Sequence, residues 1–438
     1  MKKFFTYPVF LVLFLSFIGV MGFGAILKYH YDGGEKFEFL REKAILISSV
    51  PLTIKKMISG RTLNPNKIEN IIKHKGKKRV ERFIENKRNA LLVLPRYDHD
   101  LSRSVVDIID FNNFEVIHTY KHNIDEMNDQ VTNLEEFPRL KIDDTPLRFH
   151  YQHPLILDDG SLINIDGPAF KIDFCSNLQW INDEEYFHHS QMLDHEGNIW
   201  SPGIFNPYPE YIKRYINFVD DSLIKFNTDG EIIFNKSVTE LLIDNQILEV
   251  NSFRVKNKDP IHLNDIEPAF SDTEYWRKGD VFLSSRHQSS IIHYRPNTNK
   301  VINYIVGPFS EQHDVDIISN KEISIFNNKN FLGNKKHSEI LIYNFETKEF
   351  KKLFSDQLKK ENFKTDTQGL SHIFKDGSLM VEEQNHGRLI LFNNKGEKEL
   401  EFVNKNKNGK IGYINWSRVI ENELFIEKFK SIVNNKKC

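Results

Sequence analysis

Residues 262–328 read HLNDIEPAFSDTEYWRKGDVFLSSRHQSSIIHYRPNTNKVINYIVGPFSEQHDVDIISNKEISIFNN. Three runs in this stretch, 280–286 (DVFLSSR), 290–295 (SIIHYR) and 300–306 (KVINYIV), are rich in β-branched and aromatic residues and are separated by turn formers. That is the pattern of one antiparallel meander. His262 and Asn264 stand just before it, Arg286 at the end of its first run, and Gln312, His313 and Asp314 at the start of the next meander. A neutral imidazole, a guanidinium and an amide brought to one point suit an oxyanion such as sulfate or phosphate.

Outward from this stretch one phrase returns: a His, a short strand, a Gly- or Asn-containing turn and a second strand. It starts at His153 (HPLILDDGSLINI), His189 (HSQMLDHEGNIW), His262, His313 (HDVDIISNKEISI) and His372 (HIFKDGSLMV). Asp-Asp-Gly in the copy at His153 is a hairpin signal. One such sheet cannot bury both of its faces, so repetition of a several-stranded unit points to a radial array. Five His-led copies and a strand group beginning at Asn89 predict an all-β protein, a six-bladed β-propeller. The run 412–420 (GYINWSRVI) is one more strand, expected to close the ring on the group at Asn89, because an unpaired edge would template aggregation. The innermost strand of every blade faces the channel, so a His at its start sets imidazoles round one mouth.

Composition agrees with a large packed domain. Of 438 residues, 39% are hydrophobic and 27% charged, and 35 Phe with 15 Tyr favour strands over helices. A net charge of -2 gives no general attraction to nucleic acid, and no nucleic-acid-binding motif is present. Residues 9–27, VFLVLFLSFIGVMGFGAIL, follow Met1-Lys2-Lys3 and would span about 28 Å as a helix, enough to cross the hydrocarbon core.

The expected organisation is a cytoplasmic N-terminus (1–8), a transmembrane anchor (9–27), a short helical basic stalk (28–88), the propeller (89–420) and a C-terminal tail (421–438). A cleaved signal peptide is the alternative reading of 9–27, without a clean A-x-A site. The positive-inside rule leaves Lys2 and Lys3 in the cytoplasm and places the propeller in the periplasm of a bacterium, as a single-pass inner-membrane protein. The basic segment 55–88 reads as a solvated face. Cys175 and Cys438 do not make a disulfide framework, and Cys175 reads as a small buried residue. No cysteine-histidine zinc spacing occurs.

His262-Leu-Asn264, Ser284-Ser-Arg286 and Gln312-His313-Asp314 together resemble the core of the bacterial arylsulfate sulfotransferases and their arylsulfotransferase-like relatives. The resemblance is sharp over 187–328 and diffuse over 89–420. It implies a six-bladed propeller that moves a sulfuryl group from an aryl sulfate ester to a phenolic or other hydroxyl acceptor, with no nucleotide donor and no cofactor or metal. By position it implies His313 as the nucleophile that becomes sulfohistidine, Arg286 as the sulfate-binding group, His262 and Asn264 as the pair that contacts sulfate and the leaving oxygen, and His189 as a supporting histidine. His262 or His189, protonated, would donate to the bridging oxygen and later take the acceptor's proton. The expected partners are the two small-molecule substrates and the membrane.

Sulfuryl transfer, like phosphoryl transfer, leaves little bond order to either partner, so positioning and electrostatics carry it. His153 and His372 read as structural, and Glu382, Glu383, His386 and Arg388 have no argued place in the channel. A metal held by the histidines with Asp265 and Asp314 is a further reading with no diagnostic spacing; Asp314 better suits orienting a neighbour or capping the turn. The alternative function is a non-catalytic propeller that binds an anionic ligand, a glycan or a partner protein.

Overall fold

A computed structural model of the protein describes residues 6–31, 71–85, 87–137, 140, 149–206, 218–247, 259–328, 337–365 and 367–438. The chain divides into two compact units, one holding the N-terminal helix and the other the sheets. The helix Thr6–Tyr31 exceeds the expected 9–27, and its window Val9–Ile26 is long and apolar enough to cross a membrane. Most of the expected stalk, 32–70, lies outside the described residues.

In the second unit the strands form a propeller-like, all-β arrangement of five antiparallel sheets. Four of these are single blades. The first joins Arg418–Ile420, Leu91–Asp98, Arg103–Asp110 and Glu115–Tyr120. Another runs Leu263–Pro268, Val281–Ser285, Ser290–Arg295 and Lys300–Val306; the next, Val315–Ser319, Glu322–Asn327, Glu339–Asn344 and Glu349–Leu353. The last holds Ser371–Ile373, Leu379–Glu383, Arg388–Phe392, Lys398–Val403 and, as a fifth strand, Val80–Arg82.

The expectation of six separate blades is corrected here. Residues between Gln152 and Ser237 form one eight-stranded sheet. Strand Leu178–Phe187 is ten residues long and runs on to pair Tyr186 and Phe187 with Ile204 and Gly203, which fuses two four-stranded segments.

The expected closure forms: Leu91, Leu92 and Val93 pair with Ile420, Val419 and Arg418. Alternation along this strand decides what it packs against. Leu91 and Val93 face Ile156, Leu162 and Phe170, whereas Leu92 and Leu94 face Met380 and Leu391 of the last sheet together with Trp416. Each of these leucines is fully buried, stabilising the ring by about 1.5–3 kcal/mol apiece.

Two terminal expectations change. The basic segment before residue 89 is no solvated helix from residue 71 on. Its basic side chains meet the acidic edge of the last sheet: Lys73 and His74 on Glu383, Lys77 on Glu401, and Arg88 on Glu399 at 2.8 Å. This complement lets Val80–Arg82 pair with Leu400–Phe402. At the other end, residues beyond 420 are no loose tail. Helix Glu423–Asn435 buries Ile426 and Phe429 against Phe174, and Cys438 forms a disulfide with Cys175. Cys175 is therefore a cross-link rather than a small core residue; a spacing of 263 residues gave no sequence signal for the pairing.

Candidate active site

The repeated phrase has a backbone basis. A non-glycine residue in the left-handed region recurs where each inner strand begins: His153 (φ 44°), His189 (67°), His262 (52°), Glu311 (51°), Gln368 (62°) and Trp416 (42°). Side chains with a Cβ pay roughly 1–2 kcal/mol for this conformation, so the surrounding bonds must hold it. Neighbouring inner strands supply them. Asp265 accepts the Val315 N–H at 3.0 Å, Asp314 accepts that of Ser371 at 2.9 Å, and Glu382 accepts that of Ser417 at 3.0 Å. Asp265 and Asp314 thus hold adjacent inner strands together, Asp314 in the orienting role expected of it.

His189, His262 and His313 converge. The His189 ring lies 5.0 Å from that of His262 and 6.4 Å from that of His313. Partners fix the tautomers. Nδ1 of His313 donates to Asn328 Oδ1 at 2.7 Å, and its Nε2 accepts the backbone N–H of Gln368 at 2.8 Å. Nε2 of His188 faces two acceptors, Gly203 O at 3.1 Å and Asp221 Oδ1 at 3.4 Å, so its Nδ1 accepts from His189 Nδ1 at 2.7 Å. That leaves Nε2 of His189 without its proton. Nδ1 of His262 donates to Asp259.

Burial pushes His313 down to about 3; the Asn328 hydrogen bond opposes this, and the positive charge of Arg286 adds to it. Burial likewise holds His189 well below the ordinary range, aided by His188, His262, His313 and Arg286. Burial would raise Asp259, but the His262 hydrogen bond and the charges of His262, His287 and His188 outweigh it and lower the carboxyl.

Arg286 is nearly buried, its side chain 14% exposed; it donates to Glu311 at 2.8 Å and to Nε2 of His287 at 2.5 Å. The amide nitrogen of Asn264 donates one of its two protons to Gln312 O at 2.8 Å, which holds the turn that carries His313.

Two cavities adjoin this region. One of about 240 Å³ is lined by His188, His189, His262, Asp259, Tyr186 and Gln368. A larger one of about 510 Å³ is lined by Asp265, Glu267, Asp314, Asp316, His372 and Arg418. Burial raises Asp265 to about 7 and Asp316 to about 6, and burial with neighbouring carboxylates raises Glu267 and Asp314 further. An anion belongs with the imidazoles, so the smaller cavity, whose wall includes His189 and His262 but neither Arg286 nor His313, is the candidate site.

Asp259, His262 and His287 bring three possible ligand atoms within 4.8 Å of one another. They do not suit a cation. His287 spends Nδ1 on Asp259 O at 2.5 Å and Nε2 on Arg286, whose charge opposes a second cation.

The residues read as structural sit accordingly. His153 packs its ring 5.5 Å from Trp416, and His372 reaches Glu421 at 3.4 Å. Glu383, Arg388 and Glu401 tie the last sheet to the segment at 73–77, while His386 packs 6.1 Å from His74. Sequence reading missed Asp259, His188, Asn328 and Gln368. Asp259 precedes His262 by three residues, a visible spacing; Gln368 acts through its backbone, which no side-chain pattern reveals.

The sheets and the clustered imidazoles define a propeller-like protein with a group of histidines brought together from separate sheets. A family profile for arylsulfotransferases (ASST) matches residues 154–405, more than half the chain, and the protein belongs to that family. A search among curated proteins finds no match. Solved structures resemble it distantly. A protein of unknown function from Bacteroides caccae is 11% identical over 76% of this chain and 99% of its own, with a TM-score of 0.46. Hydrazine synthase from Kuenenia stuttgartiensis is 10% identical over 66% and 70%, at 0.39. Virginiamycin B lyase from Staphylococcus aureus is 12% identical over 59% and 71%, at 0.33. Nothing about activity follows from likeness at these scores.

Proposed function

We propose that the protein moves a sulfuryl group from an aryl sulfate ester to a phenolic or other hydroxyl acceptor through a sulfohistidine at His313, without a nucleotide donor. The observation that carries this reading is His313 itself: a buried, neutral imidazole whose Nδ1–H is fixed on Asn328, so that Nε2, now met by the Gln368 N–H, is the nitrogen with the lone pair, with His189, His262 and Arg286 nearby. Attack of Nε2 on sulfur forms the N–S bond as the S–O(aryl) bond breaks, and the electron pair leaves on the aryl oxygen with a proton from a neighbouring imidazole. In the second half the acceptor hydroxyl loses its proton, its oxygen bonds sulfur, and the pair returns to Nε2. Two half-reactions of this kind give ping-pong kinetics. Arg286 would bind two sulfuryl oxygens in its fork.

The N-terminal helix is read as a membrane anchor, with the sheets in an oxidising, periplasmic compartment; the Cys175–Cys438 disulfide supports that side.

One observation favours a second reading, a non-catalytic propeller that binds an anion. Nε2 of His313 is capped by Gln368, and Arg286 is paired with Glu311, so both groups must exchange partners before chemistry. The test is a single-turnover incubation of the full-length chain with 4-nitrophenyl sulfate, followed by mass spectrometry of the peptide containing His313. A sulfuryl adduct and a phenol burst that vanish in His313→Ala establish transfer; their absence across a panel of aryl sulfates leaves the binding reading.

A further inference from the structure

The candidate site is short of hydrogen-bond donors for a departing oxygen. As the tautomers stand, Nε2 of His189, His262 and His313 carries no proton, so Arg286 is the one side chain among these four that donates toward an anion. Sulfuryl transfer to His313 needs a protonated imidazole beside the aryl oxygen, because an aryloxide leaves poorly unless it is protonated as it departs. Two side chains compete for that role, and their surroundings differ.

His189 is enclosed by positive or potentially positive neighbours, His188, His262, His313 and Arg286, and its Nδ1 meets another imidazole at 2.7 Å. Among the described residues no carboxylate is bonded to it; Asp221 reaches its neighbour, His188. His262 has Asp259 directly on Nδ1. Around His262 the facing charged or titratable groups are Asp259, His287, Arg286, His189 and His313, with Glu311 held on Arg286.

The Asp259 turn is itself pinned by the neighbouring 286–288 turn. His287 donates from Nδ1 to Asp259 O at 2.5 Å, Gln288 donates to Pro260 O at 2.6 Å, and the backbone N–H groups of Arg286 and His287 donate to His262 O and Ile261 O, each at 3.0 Å. The carboxylate is thus held in place against the ring.

We propose that Asp259 is the positioning residue that makes His262, rather than His189, the group that protonates the departing aryl oxygen and later takes the proton of the acceptor hydroxyl. A carboxylate on one ring nitrogen fixes the tautomer and stabilises the positive charge that gathers when the other nitrogen takes a proton. In the first half-reaction, His262 has first taken a proton from solvent at Nε2; Nε2 of His313 then bonds sulfur as the S–O(aryl) bond breaks, and the aryl oxygen takes that proton from Nε2 of His262. In the second, the acceptor hydroxyl gives its proton to Nε2 of His262, its oxygen bonds sulfur, and the N–S electron pair returns to His313. Asp259 keeps its charge throughout. The assignment rests on the sulfuryl-transfer reading.

The test compares two donors in single turnovers of the full-length protein: 4-nitrophenyl sulfate, whose phenol leaves readily, and phenyl sulfate, whose phenol leaves poorly. Asp259→Asn keeps an acceptor for Nδ1 and removes the charge. It should slow phenol release from phenyl sulfate by about 10²-fold, and from 4-nitrophenyl sulfate by less than about tenfold. The alkaline limb of the phenyl sulfate profile should move to lower pH. Equal losses with both donors, or none, overturn the assignment alone. No phenol release by the wild type from either donor overturns the sulfuryl-transfer reading and this assignment with it. Should Asp259→Asn fail to fold, His262→Gln and His189→Gln carry the same ratio: a phenyl sulfate penalty in His262→Gln alone supports the assignment, and one in His189→Gln overturns it.

Discussion

The backbone N–H of Gln368 donates to Nε2 of His313 at 2.8 Å, and Asn328 holds both partners of that bond. Oδ1 of Asn328 accepts from His313 Nδ1, while its amide nitrogen donates to Gln368 O and to Thr365 O at 3.3 Å. Asn328 therefore orients the imidazole and anchors the turn that caps it. Asn328→Ala should lower the single-turnover rate of phenol release by about 10²-fold or more, because a freely turning imidazole loses its alignment. The variant should also lose about 1–3 kcal/mol of stability from the carbonyls left unpaired. Stopped-flow release from 4-nitrophenyl sulfate and a denaturant melt check the two effects; an unchanged rate would remove His313 from the chemistry.

The acidic cavity makes a pH prediction of defined sign. Asp316 is raised to about 6 by burial, above its unfolded value. Between about pH 4 and 6 the folded chain holds this proton and the unfolded chain releases it, so stability falls as pH rises through that window. Asp316→Asn should be indistinguishable from wild type in thermal unfolding near pH 4, and more stable by on the order of 1–2 kcal/mol at pH 8. His313 works in the opposite direction. Its depressed value, about 3, makes stability fall as pH drops below about 6.5, and His313→Gln should remove that acid-side loss.

The disulfide closes a loop of 263 residues between Cys175 and the last residue of the chain, and so fastens helix Glu423–Asn435 over the joint of the ring. Reduction, or Cys438→Ser, should lower stability by about 2–4 kcal/mol. The effect is read as a drop in melting temperature under dithiothreitol that the variant shows without it. Equal melting temperatures in both conditions would place the stability of the ring in the strand pairing of Leu91–Val93 with Arg418–Ile420 alone.

Strand patterning was legible because burial enforces it. The alternation of Leu91, Leu92, Val93 and Leu94 records two packing faces, and the ring closure at 418–420 followed from the need to cover an edge. The His phrase was legible in part because the backbone turns left-handed near the start of each inner strand, at the His itself for His153, His189 and His262, and at Glu311 and Gln368 in the copies of His313 and His372. The rest depended on partners distant in sequence. Val80–Arg82 reads as a solvated basic segment until Glu399 and Glu401 are placed beside it. The fusion of two segments into an eight-stranded sheet turns on Tyr186 and Phe187 continuing past a strand end, which pattern alone does not mark. Among site residues, the histidines and Arg286 carry chemistry in their side-chain type, whereas Gln368 contributes an amide that every residue has.

Arg286 and Glu311 set the last prediction. The guanidinium donates to the Glu311 carboxylate at 2.8 Å, so a sulfate ester must displace one anion to bind beside another. Glu311→Gln removes the competitor and the repulsion together, and should lower KM for an aryl sulfate by about three- to tenfold, with the same group still able to accept a hydrogen bond. Arg286→Lys keeps the charge but loses the fork that grips two oxygens; it should raise KM and cut kcat/KM by about 10²-fold, since the bond to sulfuryl oxygens strengthens in the transition state. Donor titrations under ping-pong conditions separate the two variants. Opposite movements of KM would place Arg286 on the sulfate; parallel movements would make the pair a structural brace of the 286–311 turn and move sulfate recognition to the imidazoles.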